Sequence, residues 1–277
     1  MPSQCINGID IFYQDDDFSD PWKPHDTVFI QHGFGRNGNM FFGWVPWLAR
    51  DFRVIRMDFR GMGRSGDPGP DYRFSVGDFL ADFTGLLDAL KIDRVHYIGE
   101  SLGGVIGAAA AGTHPNRFKS LTLISTMVQV GRESTVAMSS FGYPTWADAL
   151  RSLGNKAWWY KLRSATGELT GDAAEDEWFA NEFARTPVHV TCALSEFAPT
   201  ASVEPLLGNI SAPTLLLTPG SSFHTPREQQ DLMLRKIPDA RQKIYHDGKH
   251  SDYYLRPDLL AQDTLEFIRS VNAKQKG

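Results

Sequence analysis

Short runs of consecutive apolar residues recur along the chain, each closed by a glycine or a polar turn. Residues 27–31 (TVFIQ), 52–57 (FRVIRM), 95–98 (VHYI), 121–124 (LTLI) and 214–217 (TLLL) are such runs, and 242–245 is a weaker one. Continuous rather than alternating apolarity is the mark of strands covered on both faces. Between them the period changes. Val76, Phe79, Leu80, Phe83, Leu86, Leu87 and Leu90 repeat at helical spacing, so residues 74–90 read as an amphipathic helix. A second, Ala/Gly-rich helix runs from the turn after Ile98 to about Thr113, and a third closes the chain over 259–271. Residues 9–13 read as a first strand, with Asp15, Asp16 and Asp17 as a solvated turn. Strands alternating with helices predict an α/β protein: a mostly parallel central sheet with helices on both faces.

Strand-like runs stop between Thr126 and about Leu207. The segment is instead helical and aromatic, holding four of the seven tryptophans together with Phe141, Tyr143, Tyr160, Phe179 and Phe183. This is the pattern of a helical cap inserted between two strands, giving a core of residues 1–126 and 208–277 and a cap of residues 127–207. The tail 272–277 is expected to fray.

Composition narrows the function classes. With 277 residues, 22% charged and a formal net charge of -5, the chain suits one soluble α/β domain with an insertion. No block of Lys and Arg marks a nucleic-acid or membrane surface. The first twenty residues lack the basic and apolar regions of a signal peptide, and no apolar stretch is long enough to span a bilayer. Two cysteines make no disulfide framework. A cytoplasmic protein with a small-molecule partner is the expectation; oligomeric state leaves no mark.

The stretch GESLG, residues 99–103, follows the 95–98 strand and opens the Ala/Gly-rich helix. A serine lifted on a sharp strand-to-helix turn is exposed for attack, and the helix start beneath it offers free backbone N–H groups. Ser101 is therefore the candidate nucleophile; the alternative is a serine that only caps the helix. Acyl transfer also needs donors for a developing oxyanion. The Leu102 N–H directly after the serine is one candidate, and the Phe34 N–H in HGFG after the 27–31 strand is the other. His32 is expected to pack under that loop rather than act as a base. Of eight histidines, His250 follows a strand and turn and precedes a helix, which suits a general base; His246 and His224 are the alternatives.

HGFG, DFRGMGRSG, GESLGG, PTLLL and a late GKH occur in that order, and the chain thereby resembles the α/β-hydrolase superfamily over nearly its whole length outside the cap. The resemblance implies Ser101 as nucleophile, His250 as general base and acid, Phe34 and Leu102 as oxyanion donors, no cofactor or metal, and a substrate pocket between sheet and cap. One departure stands out. Relatives usually carry an acidic residue in the loop after the strand that here reads TLLL, or at the end of the preceding strand. Here those places hold Ser222 and Ser125. Either hydroxyl could orient His250 in a dyad, or Glu133, Glu196 or Glu100 could supply a carboxylate. Glu100 is otherwise expected to turn toward the sheet, and Arg60 and Arg64 to brace their loop by pairing with Asp58 or Asp67. Trp158, Trp159 and Tyr160 are candidate substrate-lining residues, pointing to an apolar or aromatic substrate. The expected activity is hydrolysis of a small ester, lactone or related carbonyl compound. The alternatives are a lyase or cofactor-free oxygenase with His250 as base, or a ligand-binding receptor of the same fold.

Overall fold

The computed structural model describes residues 2–130, 133–220, 222 and 224–275, without the side chains of 133, 134 and 275. Eight strands form one sheet: β1 (Ser3–Ile6), β2 (Ile9–Asp16), β3 (Thr27–Gln31), β4 (Arg53–Met57), β5 (Val95–Glu100), β6 (Phe118–Ile124), β7 (Thr214–Pro219) and β8 (Ala240–Tyr245). Their order is β1-β2-β4-β3-β5-β6-β7-β8. Only the β1–β2 and β2–β4 pairs are antiparallel. The helices are α1 (Val45–Leu48), α2 (Val76–Ala89), α3 (Leu102–Thr113), α4 (Glu133–Ser140), α5 (Trp146–Leu153), α6 (Asn155–Thr166), α7 (Ala173–Ala184), α8 (Val188–Phe197), α9 (Arg227–Lys236), α10 (Asp252–Leu255) and α11 (Pro257–Gln275). Among the described residues, none of them is long and apolar enough to cross a membrane.

The central strands explain the apolar runs. Every residue of β5 and β7 is buried. The helices that cover them are cut by local chemistry. Ser75 caps α2 by accepting from the Asp78 N–H, while the Asp78 carboxylate accepts from the Ser75 N–H and hydroxyl. Such a reciprocal cap is worth about 1 kcal/mol. Helix α3 lies so close to the sheet that a Cβ on Gly103 would strike the carbonyl oxygens of Gln31 and His32. Backbone cannot yield as a side chain does, so Gly103→Ala is expected to cost about 3 kcal/mol or more, read as a lower urea midpoint at unchanged m-value.

Several expectations are revised. Asn7 (φ 50°) and Gly8 (φ 78°) form a tight turn that adds the edge strand β1. Asp15 and Asp16 belong to β2, not to a turn, and pair across the sheet with Arg53 and Arg56 of β4 at 2.7 Å each. Residues 272–275 continue α11, and the Asn272 amide donates to Asp26 at 3.0 Å; Lys276 and Gly277 lie outside the described residues. Between β6 and β7 the chain runs through α4 to α8 and two short 3-10 turns. The buried rings of Trp146, Trp158, Trp159, Phe179 and Phe183 join the same hydrophobic core as the sheet.

Candidate active site

Ser101 sits between β5 and α3 with φ 53° and ψ −118°. That conformation is strained for any residue with a Cβ, and it is held by the Ser101 N–H donating to Ile124 O of β6 at 2.9 Å. The next residue, Leu102, opens α3, so its N–H has no partner within the helix. Leu102 and Phe34 both line, with Ser101, a narrow cavity of about 50 Å³.

The β8–α10 turn carries His250 to the same place. Its Nε2 lies 3.2 Å from Ser101 Oγ, across 149 positions of chain. His250 is buried, and its Nδ1 has no hydrogen-bond partner among the described residues. Burial, with His224, Arg36 and Arg163 nearby, holds its pKa well below the usual imidazole value. The His224 ring stands 4.9 Å from the His250 ring, centroid to centroid, and burial pushes its own pKa down to about 4.

Two buried ion pairs flank the histidine. Arg36, on the loop after β3, donates to Glu100 and lies 4.9 Å from the Tyr253 ring. The other Glu100 oxygen, Oε1, is 3.5 Å from His250 Nε2 and accepts no hydrogen bond from the described residues. Burial raises the Glu100 pKa, and Arg36 opposes that rise. On the cap side, Gly167 (φ 66°) ends α6 in a left-handed turn and the Glu168 N–H closes it on Arg163 O at 2.8 Å. That turn folds the Glu168 side chain back onto Arg163 and Ser251, the residue after His250. Arg36 and Arg163 line the cavity, whereas Glu100 and Glu168 stand behind them.

The roof is aromatic. Phe34 stacks on Trp146 (centroids 4.6 Å), Trp146 on Trp158 (5.9 Å) and Trp158 on Phe183 (5.6 Å), with Met127, Val130 and Leu162 filling the remainder.

A family model described as alpha/beta hydrolase fold matches residues 26–257. The chain belongs to that family. A relative from Pseudomonas savastanoi pv. phaseolicola, provisionally named a carbamate hydrolase, is 26% identical over 257 residues, which is 87% of this chain and 93% of that protein. The enol-lactonase from Burkholderia xenovorans LB400 has a solved structure 23% identical to this chain, with a TM-score of 0.85 over 97% of this chain and 100% of its own. A thermophilic esterase from Thermogutta terrifontis is 22% identical, with a TM-score of 0.81 over 98% of each chain. At these identities the two solved structures establish the shared fold.

In this α/β-hydrolase fold protein several candidate residues stand elsewhere than expected. Neither Ser222 nor Ser125 bonds to the His250 ring: Ser222 Oγ accepts from the Thr225 N–H at 3.2 Å, and Ser125 donates its own N–H to Leu217 O at 3.0 Å. Glu196 is exposed on α8 beside Arg151 and Arg73. The Glu133 side chain lies outside the described residues. Glu100 faces Arg36 and His250 rather than the sheet. Arg60 pairs with Asp82 and Tyr72, not with Asp58 or Asp67, while Arg64 donates its N–H to Asp58 at 2.9 Å and lies over the Phe12 ring. Of the three aromatic candidates on α6, only Trp158 reaches the cavity. Trp159 is fully buried in the cap, and Tyr160 points outward to Glu177 at 2.9 Å. His32 packs as expected: its Nε2 accepts from the Phe59 N–H at 3.0 Å, and burial lowers its pKa to about 3. His246 is exposed at the end of β8. Arg36, Arg163 and Glu168 carried no expectation; the arginine directly after HGFG and the acid five positions beyond Arg163 across a glycine were the available signals.

Proposed function

We propose that this protein is a cofactor-independent serine hydrolase of small apolar or aromatic esters, lactones or related carbonyl compounds. One observation carries the reading: a serine on a strained turn, 3.2 Å from a buried histidine, in the lining of an apolar cavity. Ser101 Oγ attacks the substrate carbonyl while His250 Nε2 takes its proton. The oxyanion forms against the N–H groups of Leu102 and Phe34, and the start of α3 adds its dipole. His250 then returns the proton to the leaving oxygen, and water releases the acyl group by the same steps in reverse. The stacked indoles and phenyl rings favour a flat apolar substrate body. The test is a fluorophosphonate probe followed by peptide mass spectrometry: a single adduct at Ser101 supports the reading, and an unlabelled protein refutes it.

The pH dependence follows from the depressed His250 pKa. His250 accepts a proton only when neutral, so labelling fails below its pKa. Because burial and the nearby cations hold that pKa well below 6.5, the labelling rate is expected to stay flat as pH falls through 6.5 and to drop only at more acidic pH. A half-point at or above 6.5 would contradict this electrostatic picture of the site.

A further inference from the structure

A histidine that serves as base through Nε2 carries its resting proton on Nδ1, and that N–H needs an acceptor once it is buried. His250 Nδ1 is buried and has no hydrogen-bond partner among the described residues. The hydroxyls and carboxylates around it are committed elsewhere. Ser222 accepts from the Thr225 N–H, Glu168 is held by Arg163 and Ser251, and Glu100 approaches the ring at Nε2, the other nitrogen. The acceptor that stands beside the ring is a second imidazole. His224 comes from the loop after β7, where an acid was expected. The two rings are 4.9 Å apart, centroid to centroid, and tilted by 44°, and both line the cavity with Ser101. The outer torsion of a histidine is broad, so a small turn of either ring can bring nitrogen to nitrogen without moving backbone.

We propose that His224 is the positioning residue of this site: it stands in for the family's acid, accepts the His250 Nδ1–H on its own unprotonated nitrogen, and so leaves the Nε2 lone pair to Ser101. This rests on the hydrolase reading above. As Oγ bonds to the carbonyl carbon, the π pair moves onto the carbonyl oxygen and the Ser101 proton passes to Nε2. The Nδ1 proton stays on His250 throughout, shared with His224. When the intermediate collapses, Nε2 hands its proton to the leaving oxygen and the His250 ring is neutral again.

The surroundings of the ring make such an acceptor necessary. Glu100 Oε1, 3.5 Å from Nε2, favours the opposite tautomer, in which Nε2 already carries a proton and cannot take the one from Ser101. Burial, with Arg36 and Arg163 nearby, opposes positive charge on the ring. An acceptor at Nδ1 counters the first effect directly and spreads part of the charge that the second makes costly. With its pKa pushed down to about 4, His224 is neutral at neutral pH, so one of its nitrogens keeps a lone pair. It brings no negative charge, so it assists His250 less than a carboxylate would.

The test uses ¹⁵N-histidine NMR on the resting protein at neutral pH. The expected spectrum shows His250 protonated on Nδ1; a ring protonated on Nε2 overturns the proposal. His224→Ala should move the proton to Nε2, toward Glu100, and an unchanged tautomer also overturns it. Should the Ala variant not fold, the wild-type spectrum decides alone. His224→Ala should slow fluorophosphonate labelling of Ser101 by at least about tenfold, and a smaller loss refutes the role. His224→Asn and His224→Gln each offer an amide oxygen as acceptor near one of the two imidazole nitrogen positions. At least one of them should restore both the Nδ1 tautomer and most of the labelling rate, and failure of both refutes the role. Wild-type protein that takes no label refutes the hydrolase reading instead and leaves the tautomer result standing.

Discussion

Ser101→Ala is expected to lower turnover of an activated ester by at least about 10²-fold, with His250→Ala close behind and the double variant no worse than either single one. Nucleophile and base act as one unit, so removing either removes nearly everything the pair does. The magnitude depends on what assists the histidine. A fully assisted serine site is worth about 10⁶, and loss of the carboxylate alone costs about 10⁴, so an unassisted dyad retains only about 10². A loss near the lower figure marks an unassisted pair, and a loss near the higher one marks a carboxylate acting on His250. Residual hydrolysis in the Ala variants should still exceed that in water, because the Leu102 and Phe34 N–H groups remain. Stopped assays with a chromogenic ester and full progress curves measure all three variants. Additive losses in the double variant would show that Ser101 and His250 act independently and would remove the proposed mechanism.

The elements that place Ser101 and His250 were legible because each leaves a local trace. A strand covered on both faces must be apolar throughout, and a turn that lifts a side chain between strand and helix needs small neighbours, so β5, GESLG and α3 stand out. Elements at the sheet edge leave weaker traces. β1 is short and mostly exposed, and only the Asn7-Gly8 pair signals it. Asp15 and Asp16 looked like a turn because three acids in a row are rare in strands; two arginines placed diagonally to them on β4, Arg53 and Arg56, supply what local propensity lacks. The Arg36–Glu100 pair joins residues 64 positions apart and has no period to read. Three consecutive aromatic residues on α6 point about 100° apart, which is why Trp158 meets the cavity while Trp159 and Tyr160 do not. Long-range charge pairs such as Arg36–Glu100 and Arg163–Glu168 leave no mark in the chain's local patterns.

Glu168→Ala is expected to be strongly destabilising while leaving Ser101 and His250 in place. Arg163 and Glu168 are each about 4% exposed, and Ser251 bonds to both. Removing the carboxylate strands a buried guanidinium whose Nε already lacks a partner among the described residues. Breaking such a pair costs about 3–5 kcal/mol, and for a chain of this size the melting temperature should fall by on the order of 10 °C. Replacing both partners, as in Arg163→Met with Glu168→Leu, removes the stranded charge and should restore most of the loss. The pH dependence has a definite sign. Burial acts to raise the Glu168 pKa, but Arg163 and the Ser251 hydroxyl outweigh it and hold the pKa below its ordinary 4.5. The unfolded chain therefore takes up the proton first. The stability gained from the pair is complete above pH 4.5 and is lost as pH falls through the lower folded value. Urea unfolding of wild type and the double replacement at pH 7 and pH 4 should show the wild type losing more stability on acidification. Equal losses would mean that the Arg163–Glu168–Ser251 cluster joins cap to core by packing alone, with no contribution from its charge.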